Sequence, residues 1–393
     1  MPCAVVDLAA FASNARLMLD RATLGPAPAP TLRIATKSLR VPDLIRRAQS
    51  LLGPRARGLM TFSAAETLLL ADHGFDDFIL AYPISQPAEA RLLATLADRT
   101  ITVRAIVDSR PHVDLLAAHL SPAQTSISLA LDIDASWRLL AGKVHLGVRR
   151  SPLRTPDDAL SLAAYAQARR LPVTAVMLYE AQVAGLRDIN PGSRHLDPLR
   201  RFIRARSKPL AASRRLAVVA ALRSAGHRIA VVNGGGTGSI DSTASDGSVT
   251  EVTIGSGFLT PHLFDHCTDL PLTPAAFFLL PVSRVPDPGY LTAFSGGFIA
   301  SGPPAADRAP LIHAPAGLTS TSSEGFGEVQ SPFTTSPATP HLKVGDPIVC
   351  RHAKSGELFE RFNAVHLLDL SDHSAPAVVA TVPTYRGLGG AFG

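Results

Sequence analysis

Between residue 32 and about residue 260, short apolar runs alternate with helix-patterned segments, and that alternation restricts the fold of this chain more than any other feature. The runs at 32–35, 58–62, 78–82, 101–107, 126–133, 173–179 and 229–233 read as strands apolar on both faces. Strands of that kind are covered on both sides, which implies a parallel sheet under helices. Helix openings lie between them: Pro42 ahead of apolar residues at helical spacing, a capping-box pattern from Ser63 to Glu66, Pro87 at a first-turn position, then segments 111–120, 156–169 and 199–225. Near the N-terminus a brief strand at 4–8 leads into a helix that Asp7 caps. At least seven strand–helix units favour a closed (β/α)8 barrel over an open doubly wound sheet, which the count alone leaves open.

Beyond Thr260 the texture changes. Proline and glycine become frequent, helical periodicity fades, and β-like runs appear at 276–282, 290–294, 347–351, 364–370 and 377–382. An α/β barrel over residues 1–265 followed by a β-rich domain over 266–393 is therefore expected, with residues 1–20 free to pack on the second part. Residues 25–30, Gly-Pro-Ala-Pro-Ala-Pro, read as a stiff extended linker. With 46% hydrophobic and 18% charged residues the chain has material for a large core and does not belong to the disordered class.

A net charge of +6 comes mostly from scattered arginines, and 6% aromatic residues supply no nucleic-acid footprint; a small anionic molecule suits the bias as well. Cys3, Cys267 and Cys350 are far apart and form no CxxC pair, which points to a reducing compartment. Residues 1–7 hold no signal-peptide core and no apolar run reaches membrane-spanning length, so a soluble, cytoplasmic protein is expected.

Two constellations carry chemistry. Residues 32–40 form a strand that hands Lys37 to the mouth of a loop, and a helix follows at once. A lysine amine shielded from water loses its proton more readily and can attack a carbonyl to form a Schiff base, although a surface lysine at a strand end would read the same. Some two hundred residues on, Asn233 leads into Gly234, Gly235, Gly236, Thr237, Gly238 and Ser239, and Gly255, Ser256 and Gly257 repeat the arrangement one strand later. Glycine turns let backbone N–H groups converge on an anion, and late strands of an eight-unit barrel are its usual phosphate site. A dinucleotide reading fits poorly, because the loop is late and residues 240–243 do not form a clear helix.

Together these segments resemble the fold-type III pyridoxal-phosphate enzymes, and more closely the branch holding D-threonine aldolase and D-serine dehydratase, including proteins described as amino acid deaminase/aldolase. The resemblance is strongest over residues 30–85 and 229–260. It implies an alanine racemase-like barrel binding pyridoxal 5'-phosphate, a C-terminal β domain, and a homodimer with active sites shared between subunits. Lys37 would hold the cofactor covalently, and the turns at 234–239 and 255–257 would hold its phosphate. Arg138 would approach the cofactor's phenolic oxygen, or else pair with Asp132 or Asp134. Tyr179 would face the cofactor or be buried with a satisfied hydroxyl, Asn233 would orient the glycine loop, and Arg149 and Arg150 could meet a substrate carboxylate.

The metal-dependent members carry a histidine and, two residues on, an aspartate or cysteine. His352 matches the first, but Lys354 occupies the second position, and an ammonium has no lone pair to give a metal. Either Glu357 or Cys350 completes a different site, or Lys354 supplies the positive charge itself, which is the favoured reading. The expected substrate is a small β-hydroxy D-amino acid, cleaved in the aldol sense or its reverse, with His352 as base and Lys354 lowering the hydroxyl pKa. Dehydration with Lys37 taking the Cα proton, racemisation using Tyr290 or Tyr385, and a non-catalytic cofactor carrier are the alternatives.

Overall fold

The computed structural model describes residues 1–25, 27–186, 188–370 and 376–392. Pro26, within the expected linker, lies outside the described residues. Strand β1 (Cys3–Asp7) leads into α1 (Leu8–Thr23), whose Ala9 and Ala10 N–H groups donate to the Asp7 carboxylate at 2.8 and 3.1 Å. Then follow β2 (Thr31–Ala35), α2 (Pro42–Leu52), β3 (Ala56–Thr61), α3 (Ala64–Asp72), β4 (Phe78–Leu80), α4 (Pro87–Asp98), β5 (Val103–Val107), α5 (Arg110–Ala117) and β6 (Ile127–Asp132). A hairpin of β7 (Trp137–Leu139) and β8 (Val144–Leu146), which nothing in the sequence announced, interrupts the rhythm. It resumes with α6 (Pro156–Ala168), β9 (Val173–Leu178), α7 (Ala181–Ala184), α8 (Asp197–Ser224), β10 (Val231–Gly234), α9 (Ile240–Ala244) and β11 (Glu251–Ile254).

Eight parallel strands close in the order β10-β11-β2-β3-β4-β5-β6-β9. The barrel is the closed alternative, and its seam sets β2 directly beside β11. Ile79, Ile106, Ala130, Ala175 and Met177 fill the lumen. At the end where β2, β5 and β11 begin, Arg33 is fully buried and bonds Glu251 at 2.6 and 2.8 Å, the Asp77 carbonyl at 2.6 Å and the Asp77 carboxylate at 3.1 Å. Asp77 also takes Arg104, so the charges plugging that end are paired. Residues 240–244 form a short helix after all, where the sequence showed none: Ser239 and Ile240 turn the chain directly out of the glycine loop.

The later strands are β12 (Ala276–Arg284), β13 (Tyr290–Phe294), β14 (Leu311–Ala314), β15 (Leu318–Ser320), β16 (Gln330–Thr335), β17 (Pro347–Arg351), β18 (Ala364–Asp369) and β19 (Ala377–Pro383). With β1 they make a nine-stranded sheet in which the N-terminal strand lies between β12 and β18. Along β12, Ala276, Phe278, Leu280 and Val282 point into the core, the period-two pattern of a strand buried on one face. The first strand of the chain is thus a central strand of the second sheet, and α1 carries the chain from there to the barrel.

Candidate active site

Strand β2 ends in a single tight turn, Thr36–Ser38, that buries Thr36 and Ser38 and leaves the Lys37 side chain outward. The Thr36 hydroxyl donates to the Met60 carbonyl at 2.9 Å and ties the turn to β3. From the β-rich part of the same chain, Gly356 packs on the turn so closely that a Cβ there would lie 1.8 Å from the Lys37 carbonyl oxygen. Lys37 Nζ donates to Tyr82 Oη at 3.0 Å. Strand β4 stops at Leu80, short of the expected 82, so Tyr82 stands at the barrel mouth rather than inside the ladder.

The Arg150 guanidinium lies 5.8 Å from the centroid of the Tyr82 ring and 5.7 Å from that of Tyr179, and so spans the two. Burial alone would raise the Tyr82 phenol, but the charges of Lys37, Arg150 and Lys354 outweigh it and hold its pKa below the ordinary value. Tyr179 moves the other way, raised by burial with Glu180 and Tyr82 adding to it. Two carboxyls at the end of β6 also diverge. Asp132 is pushed up to about 7, first by burial and then by Asp108, against the pull of Arg150. For Asp134 the cost of burial is outweighed by the Ser136 hydroxyl and amide at 2.7 and 2.9 Å and by Arg138, and its pKa is lowered. Arg138 therefore sits on Asp134 at 2.9 Å, the structural alternative raised for it, and Arg150 is the guanidinium at the mouth. Arg149 beside it is exposed. The Ser151 hydroxyl donates to the Asp132 carbonyl at 2.5 Å, which fastens the Arg150 loop over the end of β6.

At the ends of β10 and β11 the two glycine turns are knitted together. Thr237 Oγ1 accepts from the amides of Gly255 at 3.4 Å and Gly257 at 3.1 Å, and Gly236 N–H donates to Ser239 Oγ at 3.2 Å. Gly235 takes φ +77, the left-handed region, and its N–H donates to Glu180 at 3.2 Å. A Cβ on Gly238 would lie 2.2 Å from the Ala184 carbonyl oxygen, and one on Gly255 would lie 2.7 Å from Ser38 Oγ. Among the described residues the N–H groups of Thr237, Gly238 and Ser256 donate no hydrogen bond. Unspent amides on two adjacent glycine turns, one and two strands from Lys37, suit a phosphate. Asn233 lies deeper: its amide donates to Glu251 at 2.7 Å and Thr253 at 2.8 Å, within the barrel.

The β-rich part brings Lys354, Ser355 and Glu357 to the same mouth. Ser355 Oγ donates to the Ser256 carbonyl at 3.1 Å. Lys354 Nζ donates to Ser301 Oγ at 2.6 Å and pairs with Glu357 at 3.1 Å. His352 is buried, and among the described residues neither ring nitrogen has a hydrogen-bond partner; burial, with the Arg351 charge, drives it down to about 3, so the ring is neutral at neutral pH. Burial pushes the Cys350 thiol up to about 12, and Glu357 is committed to Ser301 and Lys354. Among the described residues no three His, Cys, Asp or Glu side chains converge as a metal site. The donor set does not fit a divalent ion: an ammonium fills one position, a buried thiol is protonated, and the carboxylate is taken.

Three residues of this mouth escaped the sequence reading. Tyr82 had a legible signal, since it follows a barrel strand at the end where Lys37 follows another. Asp132 was weighed only as a partner for Arg138. Glu180, which accepts from Arg215 at 3.1 Å, from Gly235 and from Thr243, gave none, because its role depends on α8 and α9 meeting over it.

The sequence profile of the alanine racemase N-terminal domain matches residues 6–256. D-threonine aldolase of Arthrobacter sp. is 29% identical over 263 residues, which is 65% of this chain and 60% of that protein. The match thus spans well under two thirds of the relative's length. Among solved structures, D-threonine aldolase from Filomicrobium marinum has a TM-score of 0.78 at 20% identity, covering 99% of this chain and 96% of its own. D-threo-3-hydroxyaspartate dehydratase from Delftia sp. HT23 has a TM-score of 0.73 at 18% identity, covering 98% and 97%. Likeness at that identity establishes the fold: an alanine racemase-like barrel with a β-rich sheet domain.

Proposed function

Since this chain belongs to the alanine racemase N-terminal domain family, we propose that it is a pyridoxal 5'-phosphate-dependent lyase that cleaves a β-hydroxy D-amino acid in the aldol sense, or runs the reverse. The observation that carries the reading is the placement of Lys37 Nζ at the barrel mouth, one and two strands from two glycine turns with unspent amides. The Lys37 amine would hold the cofactor aldehyde, and the Thr237, Gly238 and Ser256 amides would hold its phosphate. Bound there, the cofactor supplies an electron sink for a bond at Cα. Arg150 is the cation placed to receive a carboxylate or the cofactor's phenolic oxygen. Lys354 contributes fixed positive charge, and no step is routed through a metal. Gly356 packs against the Lys37 turn and Ser355 donates to the Ser256 carbonyl, which holds the β-rich part against both turns.

The likeness to a hydroxyaspartate dehydratase favours dehydration as the second reading, with Lys37 moving the Cα proton. Racemisation through Tyr385 loses support because that residue is fully buried and its hydroxyl donates to Glu66 at 2.9 Å. A bare carrier would have no use for a sheet domain pressed on its lysine. We also place the protein in the cytoplasm as a homodimer, a reading supported by the wide spacing of its three cysteines in the sequence and by exposed Leu140, Leu199 and Phe202 on the hairpin and α8. No helix among the described residues is long and apolar enough to cross a membrane.

The test is direct. Protein mixed with the cofactor should gain visible absorbance that Lys37→Ala abolishes, and D-threonine should yield acetaldehyde and glycine with chelator present. Keto acid and ammonia in place of aldehyde would select dehydration, and a spectrum unchanged by Lys37→Ala would end the reading.

A further inference from the structure

Aldol cleavage needs a group that takes the proton of the β-hydroxyl, and the sequence offered His352. The fold removes it: the imidazole is buried and neutral, and among the described residues neither ring nitrogen has a hydrogen-bond partner. Lys354 is a donor already held by Ser301 and Glu357. Asp132 is buried beneath the Arg150 loop, Tyr179 is raised by burial, and among the described residues it is Tyr82 that hydrogen-bonds Lys37. Tyr82 is left.

We propose that Tyr82 Oη, hydrogen-bonded to Lys37 at the barrel mouth, accepts the proton of the substrate's β-hydroxyl. The inference rests on the aldol reading above. The groups facing Tyr82 come from four elements: Lys37 after β2 at 3.0 Å, Arg150 from the loop before α6 at 5.8 Å from the ring, Lys354 from the loop after β17, and Tyr179 after β9. Three are cations and the fourth is a neutral phenol. Glu357 pairs with Lys354 and Asp132 feels the pull of Arg150, and the cations still hold the phenol's pKa below its ordinary value.

The step balances without a metal, oxidant or reductant. The β O–H bond breaks as a proton moves to Tyr82 Oη. The oxygen's electron pair forms the aldehyde C=O, the Cα–Cβ bond breaks, and its pair stays on the amino-acid fragment at Cα. Tyr82 then returns its proton through Lys37 Nζ, 3.0 Å away, to Cα, and both side chains regain their starting states.

Two measurements test it. In protein without cofactor, the tyrosinate absorbance of wild type minus that of Tyr82→Phe should show one phenol ionising below the ordinary value near ~10, and Lys354→Met should move it upward. In the loaded enzyme, Tyr82→Phe should keep the cofactor spectrum and the unfolding midpoint while aldehyde release falls about 100- to 10,000-fold and the acid limb of kcat/KM disappears. Aldehyde release from Tyr82→Phe at the wild-type rate, or a difference titration with no group below the ordinary value, overturns the role of Tyr82 alone. Wild-type protein that takes up cofactor and releases no aldehyde overturns the aldol reading and the assignment with it.

Discussion

Glu66→Gln gives the sharpest check on the buried polar structure behind Lys37. Glu66 is fully buried; its carboxylate accepts the Phe62 N–H at 2.7 Å and the Tyr385 hydroxyl at 2.9 Å, and it faces Thr36, the residue before Lys37. Burial raises its pKa from 4.5 to about 7 against those hydrogen bonds and the Arg40 charge. Below pH 4.5 the group is protonated folded or unfolded, and the native state has its full advantage. As pH rises toward 7 the unfolded chain releases the proton and the folded one retains it, so stability falls. At 1.36 kcal/mol per unit the loss comes to about 3 kcal/mol and is complete above pH 7. Glutamine keeps the shape and the carbonyl acceptor but cannot ionise. Urea unfolding of both proteins from pH 5 to 8 should show the variant gaining roughly 3 kcal/mol on wild type across the window. Other titrating groups cancel in that difference. A gap independent of pH would refute the buried, proton-holding carboxyl.

His352 should act in the opposite sense. Its folded pKa of about 3 lies below the unfolded 6.5, so stability is present above pH 6.5 and lost as pH falls; His352→Phe should recover about 3 kcal/mol of the loss between pH 6.5 and 4, read from unfolding midpoints. Removing Arg33 strands the buried Glu251 and Asp77 carboxylates, and Arg33→Met should cost about 3–5 kcal/mol in denaturant unfolding; a variant as stable as wild type would contradict the pairing. Gly238→Ala forces the loop off the Ala184 carbonyl, and at about 1–3 kcal/mol of strain should weaken cofactor binding roughly 10- to 100-fold in a spectral titration, with little change in overall stability.

The barrel was legible because parallel strands buried on both faces leave a continuous apolar signature, and Pro42, Ser63 and Pro87 mark helix starts locally. Ser63 does accept from the Glu66 amide at 3.1 Å, yet the Glu66 side chain leaves the expected capping box for Phe62 and Tyr385, a partner 319 residues away. Lys37 and the glycine turns could be found because their chemistry is carried by residue type next to a strand end. Arg138 and Arg150 could not be ranked, since an arginine's role depends on which carboxylate lies within reach, and Asp134 lies within reach of Arg138. The place of β1 in the second sheet depends on partners distant in sequence, whereas the β7–β8 hairpin pairs locally and its three-residue strands are too short to carry a pattern. The sequence alone determined the barrel, its second β-rich part and the lysine and glycine turns, because burial patterns and backbone demands are written residue by residue. Tertiary structure alone decided that His352 is buried while Tyr82 stands among three cations, because pKa and access follow from what surrounds a side chain in space.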